Sequence, residues 1–204
     1  MQPLLNSVLY LTLVASAAYS SGALATETKF ADLKPGTYQV EPYHSQVVFS
    51  VTHFGLTNFY GMFSGASGSL SLEPAQLADS KLEVSIPVNT ISTTVPILTE
   101  ELKGAQWFDA AHFPVATFTS TAVVPTGAGS ARVTGNLTLH GVTKPIVLNV
   151  QLVGMGVNPL SKADSVGFEA SGTFRRGDFG IKIDIPAVGD EVKLHIAGAF
   201  EAKK

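Results

Sequence analysis

Runs in which every second residue is apolar dominate this chain, and a side-chain period of two marks strands that bury one face. Val47, Phe49 and Val51 share one face, with Val48, Ser50 and Thr52 on the other. Leu82, Val84, Ile86 and Val88 alternate with Lys81, Glu83 and Ser85. The pattern returns in Leu70 and Leu72, in Val133, Leu137 and Leu139, and in Ile146, Leu148, Val150 and Leu152. It appears again in Val166, Phe168 and Ala170, and last in Val192, Leu194, Ile196 and Phe200. One face is apolar and the other mixed or polar, as expected of antiparallel strands around a single interior.

Turn chemistry separates the runs at Glu73-Pro74, Pro125 to Gly129, Gly141, Asn158-Pro159 and Pro186 to Gly189. Most gaps are of hairpin length, which favours an up-and-down meander. About eight such strands leave two exposed edges unless the sheet closes. The expected fold class is therefore all-β, a closed antiparallel eight-stranded barrel. Pro96 to Ala111 is the exception: Leu98, Leu102 and Ala105 recur at helical spacing. The spacing predicts one short helix near residues 97–106 covering an end of the barrel, with Glu100 and Glu101 read as helix N-terminal charge.

A barrel of eight strands either packs solid or holds one small ligand. On the faces assigned inward, Ala66, Gly68, Gly135, Ala170, Gly172 and Gly198 interrupt the large residues. Side chains that small do not fill a barrel axis by themselves. Neighbouring Phe and Leu side chains either close the gaps or leave a cavity, and periodicity alone does not decide between them.

The 204 residues are read as one domain. With 13 basic against 16 acidic residues and no basic run, no nucleic-acid partner is expected. The absence of cysteine removes disulfides, thiol chemistry and thiolate metal sites. The first 25 residues carry no charged side chain, Val8 to Ala18 is largely apolar, and Ala23-Leu24-Ala25 has the small-x-small pattern of a signal-peptidase site. Residues 1–25 are thus read as a signal peptide cleaved after Ala25, and 26–204 as the barrel domain of an exported protein. The apolar core falls short of the ~20 residues a bilayer span needs, and no later segment is longer, so no stable membrane insertion is expected.

Three rim stretches carry the candidate polar groups. His44-Ser45 opens the strand from Gln46 to His53: both residues can meet a polar head group, or Ser45 can satisfy a turn amide while His44 holds the adjacent loop. His53 falls on the Phe49 and Val51 face and precedes Phe54, Phe59, Tyr60 and Phe63, an aromatic density suited either to a hydrophobic tunnel or to a packed corner. Arg175, Arg176 and Asp178 close the strand from Val166 to Phe174. One Arg paired with Asp178 is the default there, and an Arg fork facing a polar head is the functional reading. Strand parity decides which arginine faces inward unless a bulge near Gly177 breaks it, and both are carried with a lean to Arg175. The Gly135 to Pro145 hairpin is read as structural.

No Gly-x-Ser-x-Gly, His-Glu-x-x-His, phosphate-cradling glycine loop or cysteine nucleophile occurs. The five histidines are scattered without a helical i, i+4 pair, so neither a catalytic set nor a metal site is assigned.

Taken together, Val47-x-Phe49-x-Val51-x-His53, Gly61-x-Phe63-x-Gly65-x-x-Gly68, Trp107-Phe108-Asp109 through Thr117-Phe118, the Gly135 hairpin and Arg175-Arg176-Gly177-Asp178-Phe179-Gly180 resemble the YceI-like family over about Gly36 to Glu201. The resemblance implies a lipocalin-like barrel that binds or transports an amphipathic isoprenoid-type lipid in the periplasm without being an enzyme. Polyprenyl phosphate, an isoprenoid quinone and a fatty amide are the ligand types it implies, with no cofactor and with homodimerisation left open. It implies a lipid tunnel and mouth formed by His44, Ser45, Phe49, Val51, His53, Phe59, Phe63, Trp107, Phe118, Phe168, Arg175, Arg176 and Asp178. By the family spacing, Arg176 is the arginine two residues from Asp178. The alternatives are an enzyme modifying a lipid or quinone head group through His44, His53 or Arg176, and a structural barrel with a filled core. Two departures stand out. The family helix usually carries an Arg-Asp pair where this chain has Leu98-Thr99, so no polar contact from the helix is expected. Gly177 also replaces a common Ser, which is expected to loosen that loop.

Overall fold

The computed structural model describes residues 28–203; the signal-peptide reading and the cleavage after Ala25 lie outside them. Ten strands among the described residues form one antiparallel sheet: β1 (Gly36–Val40), β2 (Gln46–His53), β3 (Thr57–Phe63), β4 (Ser67–Leu72), β5 (Lys81–Pro87), β6 (Val115–Pro125), β7 (Ser130–Leu139), β8 (Val142–Val157), β9 (Asp164–Arg175) and β10 (Val188–Ala202). The ten strands make eight staves. β1 and β2 share one edge of β10, β1 against Phe200–Ala202 and β2 against Val188–Ala197. β4 pairs with β1 and β3 with β2, so these two also form one interrupted stave. The rest is a meander from β4 through β10, closed by the β1–β10 pairing. The closed eight-stranded barrel expected from the alternation is the observed architecture.

Ser45 sutures the break between β1 and β2. Its buried hydroxyl donates to the Ala199 carbonyl at 3.2 Å and accepts from the Ala199 N–H at 3.0 Å, replacing the ladder bonds lost there.

The inward faces are those the alternation marks. Val47, Phe49 and Val51, Ile146 and Leu148, and Val192, Leu194 and Ile196 all turn to the interior. In β6 the pairing shifts register between Ser120 and Ala122, so inward positions pass from Ala116 and Phe118 to Val123. Two residues of left-handed backbone, His140 (φ 51) and Gly141 (φ 74), make the two-residue turn between β7 and β8.

One end of the barrel is shut. Phe30, Leu33, Leu72, Val166 and Phe200 are buried together, and the Phe30 N–H donates to the Ala128 carbonyl at 2.9 Å, pinning the N-terminal segment. At the other end the β2–β3 turn, residues 88–114 and residues 176–187 surround the interior. The one α-helix among the described residues, α1 (Pro96–Lys103), lies there, with proline at its first turn and Gly104 at its end. It stops three residues before the expected boundary because the chain turns at Gly104, leaving Ala105 beyond the helix.

Candidate functional site

The interior holds a cavity of about 490 Å³. Its lining runs from Val188 to Phe200 along β10, which at ~3.3 Å per residue and ~40° of tilt spans on the order of 30 Å of barrel axis. The filled-core alternative is thereby overturned. Most of the wall is aliphatic or aromatic, and Phe49, Val51, Phe59, Phe63, Phe118 and Phe168 line it.

The small inward residues act less directly than the sequence suggests. A Cβ on Gly61 would collide with the Phe49 ring, and one on Gly135 with the Phe118 ring. Each glycine therefore lets a ring lie flat against the wall rather than project across the axis. Neighbouring rings do close these local gaps, yet the axis stays open. Phe49 is further fixed by Phe63 and Phe108, at 5.6 and 6.1 Å between ring centres.

The one buried charged side chain among the described residues lies at the helix end. Arg176 is 4 % exposed and lines the cavity at the start of a short 3-10 turn, Arg176–Phe179. Its Nε donates to the Gly189 carbonyl at 2.8 Å, one Nη to Ile181 at 3.1 Å and the other to Val188 at 2.7 Å. The guanidinium also stands 5.3 Å from the centre of the Trp107 ring. Burial pulls Arg176 below the ordinary arginine value, and the nearby Asp190 and Asp184 carboxylates oppose that pull. Trp107 lines the cavity and donates its indole N–H to Glu101 Oε1 at 3.2 Å.

Several expectations need correction. The lean to Arg175 fails, since inward positions Val166, Phe168, Ala170 and Phe174 carry the even parity on to Arg176. The Arg175 side chain is 75 % exposed on the outer wall, 3.9 Å from Asp190. Asp190, not Asp178, is thus the acidic partner of this arginine pair, and Asp178 is exposed on the same outer surface. His44, 78 % exposed in its side chain, does not line the cavity; its Nδ1 lies 2.7 Å from Glu41 Oε2 and holds the adjacent loop. Ser45 lines the wall, but its hydroxyl is committed to Ala199. His53 lines the mouth while exposed, with its ring 4.1 Å from that of Phe54, so it is neither a packed core residue nor a buried ligand group.

Glu101 sits in the second half of α1 and faces the cavity, so it is not helix N-terminal charge. Asp184, in left-handed backbone (φ 58) between β9 and β10, also lines the cavity and was not singled out in the sequence. The helical spacing of Leu98 and Leu102, which both face inward, already places Glu101 beside that stripe; nothing comparable marks Asp184, which lies in an irregular loop. Among the described residues, no cluster of three or more His, Asp or Glu side chains can hold a metal ion. No helix among them is long and apolar enough to cross a membrane.

The model of the YceI-like domain matches residues 38–200. The chain belongs to the YceI-like family. It is similar to a UPF0312 protein of Pectobacterium carotovorum, 34% identical over 192 residues that cover 94% of this chain and 95% of the relative. Among solved structures, the barrel of Burkholderia cenocepacia BcnA superposes with a TM-score of 0.70 at 24% identity, covering 78% of this chain and 98% of that one. A polyisoprenoid binding domain from Saccharophagus degradans, implicated in plant cell wall breakdown, shares the fold with a TM-score of 0.61 at 18% identity, over 83% of this chain and all of that one.

Both departures from the family pattern have a structural outcome. Polar contact from the helix is present after all, because Glu101 supplies it just beyond the altered Leu98-Thr99. Gly177 is tied to β10. Its N–H donates to Asp190 Oδ1 at 2.8 Å, and a Cβ there would stand 2.9 Å from the same oxygen.

Proposed function

We propose that this YceI-like protein is a non-enzymatic carrier of one amphipathic, isoprenoid-type lipid, exported to the periplasm, with the lipid tail inside the barrel and its head at the helix end. The observation that carries the reading is the elongated apolar cavity. A volume of about 490 Å³ lies within the ~300–1,000 Å³ usual for small-molecule sites. Spread over roughly 30 Å of axis, it suits a single extended chain better than a compact head. Each methylene buried there contributes about 0.8 kcal/mol, so a long tail supplies affinity and a few polar contacts suffice for orientation. The polyisoprenoid binding of the Saccharophagus relative with this barrel agrees.

Less supports the head-group enzyme reading. Of its three proposed groups, His44 is outside the cavity, His53 is on the exposed rim, and Arg176 is committed to three carbonyls. No cofactor and no nucleic-acid partner belong to the proposal.

Native mass spectrometry of protein purified from its own host, after gentle desalting, tests it. The expected result is a chain beginning at Thr26 with one lipid-sized adduct per barrel. A clean apo mass, together with no uptake of an added polyprenol, overturns the carrier reading.

A further inference from the structure

Inward polar groups are unevenly placed along the cavity, and their charges are unevenly matched. At the shut end the wall is apolar, with Phe30, Leu72 and Phe200. Lys81 borders the wall but is exposed, on the β5 face opposite inward Leu82. Ser45, further along, has its hydroxyl already engaged at both lone pair and proton. Toward the helix end the lining holds the buried Arg176 and two exposed carboxylates, Glu101 and Asp184, so a lipid head entering there meets all three.

Arg176 has five N–H groups and gives three to carbonyls, leaving one on each terminal nitrogen without a partner among the described residues. Its buried charge rests on neutral oxygens and an indole face, with no carboxylate of the described residues in direct contact. Two acidic side chains, Glu101 and Asp184, flank the path by which a head would reach it. An anionic head gains attraction from one cation, meets repulsion from two carboxylates, and must shed its water to enter. A neutral acceptor such as a carbonyl takes an arginine N–H without adding charge to this space.

From this we infer that Glu101 and Asp184 are specificity residues: they make the mouth select lipids with a neutral, hydrogen-bond-accepting head, of amide or quinone-carbonyl type, over lipids with a phosphate or carboxylate head. The inference rests on the carrier reading and sharpens it.

Oleamide and oleate provide the test, because they share one tail and differ in head charge. Trp107, the single tryptophan of the chain, lines the cavity and reports binding through its own fluorescence. Delipidated mature protein is titrated with each compound at pH 8, below micelle-forming concentration, and occupancy is checked by native mass spectrometry. Oleamide is expected to bind at least ten-fold more tightly than oleate. In the double variant E101Q/D184N the ratio is expected to fall below about two-fold, while the side-chain amide introduced by E101Q still offers an oxygen to the Trp107 N–H. Oleate binding as tightly as oleamide in the wild-type protein overturns the inference, as does a ratio that the double variant leaves in place. If neither compound binds, or if oleate prevails, the inference falls, while the carrier reading stands or falls by uptake of a polyprenol.

Discussion

The Arg176 guanidinium lies over the Trp107 indole, 5.3 Å from its centre, and so ties the segment after α1 to the loop between β9 and β10. The three carbonyls it holds belong to Ile181, in the middle of that loop, and to Val188 and Gly189, at the start of β10. A planar fork with donors in fixed directions can span these sites at once, whereas an ammonium presents a single nitrogen. Arg176 is thus first a latch that shapes the mouth. Its two remaining N–H groups are what it can offer a ligand.

Replacing the latch by R176K should leave at least two of these three carbonyls, one buried and two part-buried, without a donor. The expected loss is about 2–4 kcal/mol, read as a fall in Tm of roughly 5–15 °C. Hydrogen exchange should quicken in residues 181–189 and stay slow in β7 and β8. A Tm within about 2 °C of wild type would show that the fork holds nothing together.

The inward glycines make a graded series. The three atoms nearest a methyl at Gly61 all belong to the Phe49 ring, a side chain that yields toward the cavity more readily than backbone does. One at Gly135 meets the Phe118 ring and also the Thr119 carbonyl at 2.7 Å, which is backbone and yields less. Gly68 adds a φ of 140 to a collision with the Glu83 carbonyl. The expected order of destabilisation is G68A, then G135A, then G61A, from more than about 3 down to about 1 kcal/mol. Denaturant midpoints in any other order would contradict this account of how the wall is packed.

How far the sequence reveals the fold depends on how local each signal is. Period-two runs in β2, β5, β7, β8, β9 and β10 are long enough to expose their inward faces directly. β6 escapes this reading because its register shift at Ser120 moves the inward set from Phe118 to Val123, so no single alternation spans it. The cavity is not legible from small residues, since Gly61 and Gly135 are covered by rings from adjacent strands. The wall positions of Phe49 and Phe168 follow from parity, whereas those of Phe59, Phe63 and Phe118 come from the resemblance. Of the polar positions, Arg176 and Glu101 continue regular patterns, the β9 alternation and the Leu98–Leu102 helical stripe, whereas Asp184 sits in an irregular loop that no period reaches. The choice between Arg175 and Arg176 needed only one more step of the β9 alternation.

Glu41 gives the fold a pH-dependent contact. Partial burial would raise its carboxyl, but hydrogen bonds from the His44 ring and from the backbone N–H groups of Tyr43 and His44 outweigh that and hold it below the usual carboxylate value. A carboxyl with a lowered folded pKa contributes stability above its unfolded value of about 4.3, and that contribution disappears as pH falls through the folded value. Wild type should therefore exceed E41Q in Tm at pH 6 by no more than about 2–4 °C, and the gap should close as pH falls below the unfolded value of about 4.3. A gap that is constant down to about pH 2 would mean that Glu41 acts by shape and not by charge.

Ala170 offers the cleanest way to separate the cavity from the barrel around it. It sits midway along β9, paired with Val150 on one side and Ile196 on the other, and its methyl faces the cavity. A170F would place a ring in space that no protein atom occupies, so the usual overpacking penalty should be small and Tm should stay within about 5 °C. The same ring would block an extended tail at mid-length, and uptake of a polyprenol should fall at least ten-fold. S171F adds the same ring one residue later, on the opposite face of the strand, and should leave uptake as it was. If A170F keeps both its fold and its full lipid uptake, the tail does not pass along this axis.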